Sequence, residues 1–264
     1  MSPVIDLLAE NEALRAFVTS LSEEQWRQPT AFWDWTTFDE VLHLIYVDRF
    51  ALVSMIDPSR FAEMKEAQRR AVLAGTEMSA LTRQEFGHLS KVQVLELWQR
   101  QYLELSEQTG ARSPDARITW VGPDMSIASM AAARQMEVWA HGQDIYDLFR
   151  RARPPAQRLR RICDLGVRTY GWSFANRQLP RPGPAPRVTL TGPDGALWQW
   201  NEDAEGYVFG PAEDFALIVT QRRNIADTRI VCTGAAASAW LAIAQCFAGP
   251  PADPPAPGAR LWQG

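Results

Sequence analysis

Met136-Glu137-Val138-Trp139-Ala140-His141-Gly142-Gln143-Asp144-Ile145 is the stretch that decides how this chain folds. Residues four apart share one face of a helix, with Cβ atoms roughly 5–6 Å apart, so the Glu137 carboxylate and the His141 imidazole can converge on one point. The preceding run Ser126-Ile127-Ala128-Ser129-Met130-Ala131-Ala132-Ala133-Arg134-Gln135-Met136 is small and apolar, which places the pair mid-helix and facing inward. A third converging group must then come from another helix. His43, in Val41-Leu42-His43-Leu44, is the candidate, since two of the chain's 3 histidines fall in this pattern. The spacing admits two readings. One is a three-ligand metal site with an open position, as in catalytic zinc centres. The other is a solvated Glu–His pair beside a satisfied core histidine. A buried carboxylate with no partner is costly, and coordination removes that cost.

Working outward, the first half of the chain reads as helical. Leu7, Leu8, Leu14, Phe17, Val18 and Leu21 recur at helical spacing and predict an amphipathic helix over about residues 4–20. Thr37-Phe38-Asp39-Glu40 reads as a capping box, so a second helix starts there and carries Val41, Leu42, Ile45 and Tyr46 inward. His43 is then about two turns inside it, and Asp48, five residues on, falls off its face. A shorter helix is expected from Asp57 to Leu73. Ser90 caps a further run with Val94, Leu95, Trp98, Tyr102 and Leu105, stopping at Gly110, and Ser126 opens the helix that carries Glu137 and His141 to about Phe149. Four long helices with side chains projecting into their core follow bundle logic. Too few carboxylates accompany the Glu-x3-His spacing for a di-iron centre, so a single ion is expected. His88 is read as a loop residue at the surface, and Gly122-Pro123-Asp124 as a turn.

Arg153-Pro154-Pro155 ends the helical half, because paired prolines stop a helix and stiffen the link. The basic runs Arg150-Arg151-Ala152-Arg153 and Arg158-Leu159-Arg160-Arg161 read as a solvated connector. A helix over about 156–174 leads to Arg187-Val188-Thr189-Leu190-Thr191 and Leu197-Trp198-Gln199-Trp200, a hairpin by its alternation and its Asp194-Gly195 turn. Strands at 207–209 and 228–232 and helices at about 211–222 and 235–247 complete an α+β layout. The expected fold is thus an α bundle plus a smaller α+β domain, divided as 1–152, 153–250 and a Pro-rich tail, 251–264, that forms no packed element.

Composition narrows the function. A chain of 264 residues, 46% hydrophobic and 22% charged, is ordinary globular material with room for two cores. Its formal charge of −4, with basic residues scattered among acids, disfavours nucleic-acid binding. Cys163, Cys232 and Cys246 are odd in number, far apart and set in apolar surroundings, so reduced thiols in a cytoplasmic protein are expected. The first residues carry acids where a signal peptide needs a basic region, and no apolar run approaches the length of a membrane span; neither export nor insertion is expected.

Trp33-Asp34-Trp35-Thr36-Thr37-Phe38-Asp39-Glu40-Val41-Leu42-His43-Leu44, taken with the Glu137–Asp144 run, resembles the metal-binding domain of mycothiol-dependent maleylpyruvate isomerases, within the wider DinB-like superfamily. The resemblance covers roughly residues 4–150. It implies a DinB-like four-helix bundle in which His43, Glu137 and His141 are ligands of a divalent metal, zinc being the expected ion. It also implies that Asp144 accepts a hydrogen bond from a ligand histidine, as outer groups around metals do, although Asp144 also fits a plain helix-surface acid. The later runs Glu213–Asn224 and Trp240–Pro250 resemble an uncharacterised metal-binding subfamily, in which the small domain is similar to sterol-carrier proteins and to a module named for wyosine-base formation. No clustered cysteine triplet for an iron–sulfur centre accompanies that name here. By the family resemblance Arg222 or Arg223 holds an acidic substrate; the alternative for both is a cationic helix C-terminus.

The chemistry implied is thiol activation: a metal-dependent isomerase or S-transferase using mycothiol or another low-molecular-weight thiol on a small acidic or electrophilic molecule, in a monomer or homodimer. The chain has no mycothiol-binding motif of its own to fix the thiol. Two other classes fit the same residues. One is a hydrolase in which the ion ionises water. The other is a non-enzymatic zinc-binding module whose second domain holds an apolar ligand.

Overall fold

A computed structural model describes residues 2–260, and the chain divides into two compact units between Leu148 and Phe149. That division falls a few residues before the paired prolines, close to Arg150, which takes a left-handed conformation (φ 51°) just past the last helix of the first unit. The fold class is the one expected, a four-helix bundle with a smaller α+β domain.

The first unit comprises α1 (Pro3–Thr19), α2 (Glu23–Trp26), α3 (Thr37–Ile56), α4 (Pro58–Leu73), α5 (Met78–Phe86), α6 (Lys91–Gly110), the two-residue strands β1 (Arg117–Ile118) and β2 (Met125–Ser126), and α7 (Ile127–Leu148). The bundle is made by α1, α3, α6 and α7. Helices α1 and α3 each pack against both α6 and α7, so the four close a ring around a core that includes Leu7, Leu14, Leu42, Ile45, Trp98, Tyr102, Met130 and Val138. Helix α3 starts one residue earlier than its capping signature suggested. Thr36, not Thr37, is the N-cap: Asp39 N–H donates to Thr36 Oγ1, and Asp39 Oδ2 accepts from the Thr36 backbone N–H at 2.9 Å. The box needs an acceptor at the third helical position, and Asp39 fills it. This leaves Glu40 to turn into the bundle, where it is fully buried. The short helices α2 and α5 carry too few residues for a periodic signal.

The second unit contains α8 (Leu159–Arg168), α9 (Tyr170–Ala175), β3 (Arg187–Thr191), β4 (Leu197–Trp200), β5 (Tyr207–Pro211), α10 (Ala212–Val219), β6 (Val231–Thr233) and α11 (Ala235–Leu241). The helix expected over 156–174 is interrupted at Thr169, whose hydroxyl donates to the carbonyls of Leu165 and Gly166 and bends the chain. The strand order is β4-β3-β5-β6. The β3–β4 hairpin pairs Leu190 with Trp198, whereas β5 runs parallel to β3, with Val188 opposite Val208. Because β4 returns the chain to the start of β3, the short link 201–206 is enough to reach the far side of β3. Val188, Leu190, Trp198 and Val208 form the buried face, α10 packs on β3 and β5, and Trp240 of α11 meets Phe215 of α10 at 5.7 Å between ring centres.

The proline-rich end forms no helix or strand as far as Ala256, but it is tied down. Gln221 Nε2 donates to the Ala252 carbonyl at 2.6 Å, Asn224 Nδ2 to the Pro255 carbonyl at 2.9 Å, and the Gly258 N–H to Asp227. Side-chain amides here supply the order that the prolines' missing N–H groups cannot. The last part of the expected tail, 261–264, lies outside the described residues.

Candidate metal centre

Three of the residues singled out from sequence meet inside the bundle. His43 comes from α3 and both Glu137 and His141 come from α7, and their ligating atoms lie within 4.8 Å of one another. Glu137 Oε2 sits 3.2 Å from His141 Nε2 and 3.5 Å from His43 Nε2. The imidazole ring centres are 4.5 Å apart. Both histidines are nearly enclosed, while the Glu137 side chain keeps 21% of its surface, so the cluster opens to solvent on the carboxylate side.

His141 is oriented by a residue that local spacing does not single out. Its Nδ1 lies 2.6 Å from Glu40 Oε2, and the other Glu40 oxygen accepts from Thr30 Oγ1 at 3.0 Å. A carboxylate on Nδ1 fixes the tautomer and leaves Nε2 facing the cluster. Asp144 lies close by, its carboxylate within 4.8 Å of the ligating atoms of Glu40 and His141, but the short contact on Nδ1 is that of Glu40. Glu40 precedes His43 by three residues, a spacing that puts the two on one face of α3, and this is the signal the sequence carries for it.

A second buried charge pair lies nearby. Arg134 Nε donates to Asp48 Oδ1 at 2.9 Å, with both side chains buried. Burial pushes the Asp48 carboxyl up, opposed by the Arg134 charge; Asp48 also feels the charges of His43 and Glu137. Asp48 is thus off the ligand face, as its spacing implied, yet electrostatically part of the same region. For Glu137, burial raises the carboxyl's pKa, but hydrogen bonds from His141 and His43, together with their charge, outweigh burial and hold it well below the usual carboxylate range.

Aromatic rings wall the cluster. Trp35 stacks on His141 (5.8 Å, 11° between planes) and lies 5.3 Å from His43, and Phe32 meets His141 edge-on at 5.4 Å. Trp139 is buried on α7.

The donor set fits a divalent ion of zinc's kind. Ligand bonds of about 2.0–2.1 Å in a tetrahedron put neighbouring ligand atoms about 3.3 Å apart, which matches the 3.2 and 3.5 Å separations here. Among the described residues, two groups of histidine, cysteine and acid side chains are close enough to hold an ion, His43–Glu137–His141 and Glu40–His141–Asp144, and both include His141.

Arg222 and Arg223 belong to the second unit, just past the end of α10. Gln221 takes a left-handed conformation (φ 57°), and the N–H groups of Arg222 and Arg223 return to the Leu217 carbonyl at 2.8 and 3.1 Å, closing the helix end. Both side chains are buried; Arg222 Nη1 donates to the Thr220 carbonyl at 2.9 Å and Arg223 Nη1 to that of Arg222 at 2.8 Å. The Thr220 carbonyl belongs to the residue that caps α10, whereas that of Arg222 lies beyond the helix. His88 lies exposed in the turn after α5.

A four-helix bundle with a His–Glu–His cluster inside it, followed by a small α+β domain, defines the class of this protein. The chain belongs to the family described as the mycothiol maleylpyruvate isomerase N-terminal domain, whose model matches residues 7–146. Uncharacterised proteins from two strains of Mycobacterium tuberculosis are 41% identical over 249 residues, spanning 94% of this chain and 96% of theirs. Crystal structures titled mycothiol-dependent maleylpyruvate isomerase share the fold. A histidine-to-alanine variant gives a TM-score of 0.53 at 12% identity, covering 83% of this chain and 88% of that one. A second structure gives 0.51 at 13%, covering 88% and 91%. Among the described residues no helix is long and apolar enough to cross a membrane.

Proposed function

We propose that this protein is a metal-dependent isomerase or S-transferase that uses a low-molecular-weight thiol, mycothiol or a relative of it, on a small acidic or electrophilic molecule. His43, Glu137 and His141 would hold one divalent ion, with zinc the first candidate. The observation that carries this reading is the convergence of these three side chains at zinc-like separations, with an opening on the Glu137 side. Support for the thiol comes from membership of a family described by mycothiol and maleylpyruvate isomerase, and from structural neighbours that carry that title.

A bound ion of this kind would supply positive charge that lowers the pKa of a thiol or water at the open position. The chain's own residues have separable tasks. Glu40 orients His141 and Thr30 holds Glu40 in place. Trp35 and Phe32 exclude water from the imidazole faces and lower the local dielectric, which strengthens each charge interaction inside. Arg222 and Arg223 remain candidates for holding an acidic substrate group. A cytoplasmic setting, with Cys163, Cys232 and Cys246 as reduced thiols, is part of this reading.

Elemental analysis of protein purified without chelator tests the reading. About one equivalent of zinc in the wild type, lost in His141→Ala and spectroscopically perturbed by a small thiol after cobalt substitution, is the expected result. A metal-free wild type that stays folded would leave the cluster as a buried polar network and sink the proposal.

A further inference from the structure

The segment from Thr30 to Thr36 builds a short, unusual turn directly over the cluster. Trp33 and Asp34 both take left-handed backbone conformations (φ 49° and 57°), and the Trp35 N–H donates to the Phe32 carbonyl at 3.0 Å. Two consecutive residues at positive φ closed by such a bond are the pattern of a type I′ turn, which favours Asn-Gly and disfavours bulky side chains. Tryptophan at the first central position is therefore strained. Burial of its ring does not offset that strain, since Trp33 is 69% exposed. Strained backbone clusters at functional sites.

The position of this ring supplies the function. Trp33 lies 4.4 Å from Phe32 and 6.2 Å from Trp35 between ring centres, and those two rings are the ones that touch the imidazoles. Trp35 is buried, Phe32 half-buried and Trp33 exposed, so the three form a continuous aromatic surface rising from His43 and His141 to solvent. The turn is also bonded to the cluster: Thr30 N–H donates to the Trp35 carbonyl at 2.8 Å, the Phe32 N–H to Thr30 Oγ1 at 3.1 Å, and that same hydroxyl donates to Glu40, the carboxylate on His141. The backbone that carries the Trp33 ring is thus tied to the cluster.

We infer that Trp33 is a substrate-contacting, specificity-determining residue. It receives a flat, conjugated group of the substrate by stacking, while the substrate's reacting end lies at the His–Glu cluster. The inference rests on the proposed reading in taking that cluster as the reactive end. Stacking separates flat from puckered ligands of equal charge, so benzoate and cyclohexanecarboxylate are suitable probes.

Their affinities would be measured by calorimetric or ligand-detected magnetic-resonance titration of wild type, Trp33→Leu and Trp33→Phe, with metal content determined on the same samples. Wild type should prefer benzoate by about three- to tenfold, the range that aromatic stacking supplies. The preference should fall below about twofold in Trp33→Leu, which keeps apolar bulk and similar backbone strain, and should persist in Trp33→Phe. Equal preference in wild type and Trp33→Leu, or none in wild type, overturns the inference whatever the metal content. Benzoate selection that depends on Trp33 in a metal-free protein supports the inference and removes the metal reading instead.

Discussion

Replacing Glu40 by glutamine tests how His141 is held. Glu40 is fully buried and its Oε2 lies 2.6 Å from His141 Nδ1, a charge-assisted contact across 101 residues of sequence. Hydrogen bonds with an ionised partner contribute about 1.5–3 kcal/mol and are roughly twice as strong as neutral ones. The Glu40→Gln variant would keep the shape and a carbonyl acceptor but lose the charge, so about 1–1.5 kcal/mol of orientation is lost, close to tenfold in zinc affinity. Glu40→Ala also leaves Thr30 Oγ1 without its acceptor, and the loss should approach the hundredfold upper range seen for outer-shell partners of metal ligands. Chelator competition at neutral pH measures both, with circular dichroism as a check on folding. Asp144→Asn is the companion variant, because Asp144 lies in the same group as Glu40 and His141; a loss of zinc affinity as large as that of Glu40→Gln would assign the two carboxylates a shared role. Folded Glu40 variants that bind zinc within about threefold of wild type would refute the reasoning.

Asp48→Asn leaves Arg134 buried beside a neutral partner and should cost the first unit about 3–5 kcal/mol in urea unfolding; adding Arg134→Met should recover most of it. Gly166→Ala should destabilise the second unit by about 1–3 kcal/mol, because an added Cβ would lie 2.9 Å from a Val219 methyl and 3.0 Å from the Phe215 ring; an unchanged melting temperature would contradict this packing. Burial raises the Asp39 carboxyl, but hydrogen bonds from Arg83 and Thr36 outweigh it and hold it below its ordinary 3.8. A depressed carboxyl stabilises the fold above its unfolded value and loses that contribution as pH falls through the folded one. Arg83→Met should therefore move the acid-unfolding midpoint to higher pH, by a modest amount because Arg83 is half exposed, and leave stability near pH 7 lower than wild type.

Local periodicity determined much of this protein from sequence alone. The i, i+4 relation of Glu137 and His141, the start of α3 to within a residue, the ends of α6 and the β3–β4 hairpin all depend on neighbours a few residues apart, and short-range sterics and capping act at that range. The scarcity of histidines pointed to His43 as the third member, and the family resemblance agreed. What tertiary structure decided lies in partners that no local spacing connects. Glu40 reaches His141, and Arg134 meets Asp48, only because α3 and α7 pack side by side and must pair the charges they bury. The parallel β3–β5 pairing depends on which side of the hairpin the chain returns to, and alternation reads the same for either choice. The left-handed turn at Trp33 and Asp34 was equally hidden. Asp34 tolerates such a backbone but Trp33 does not announce it, and the conformation is held through Thr30 and Glu40, bonds that exist once the bundle has closed.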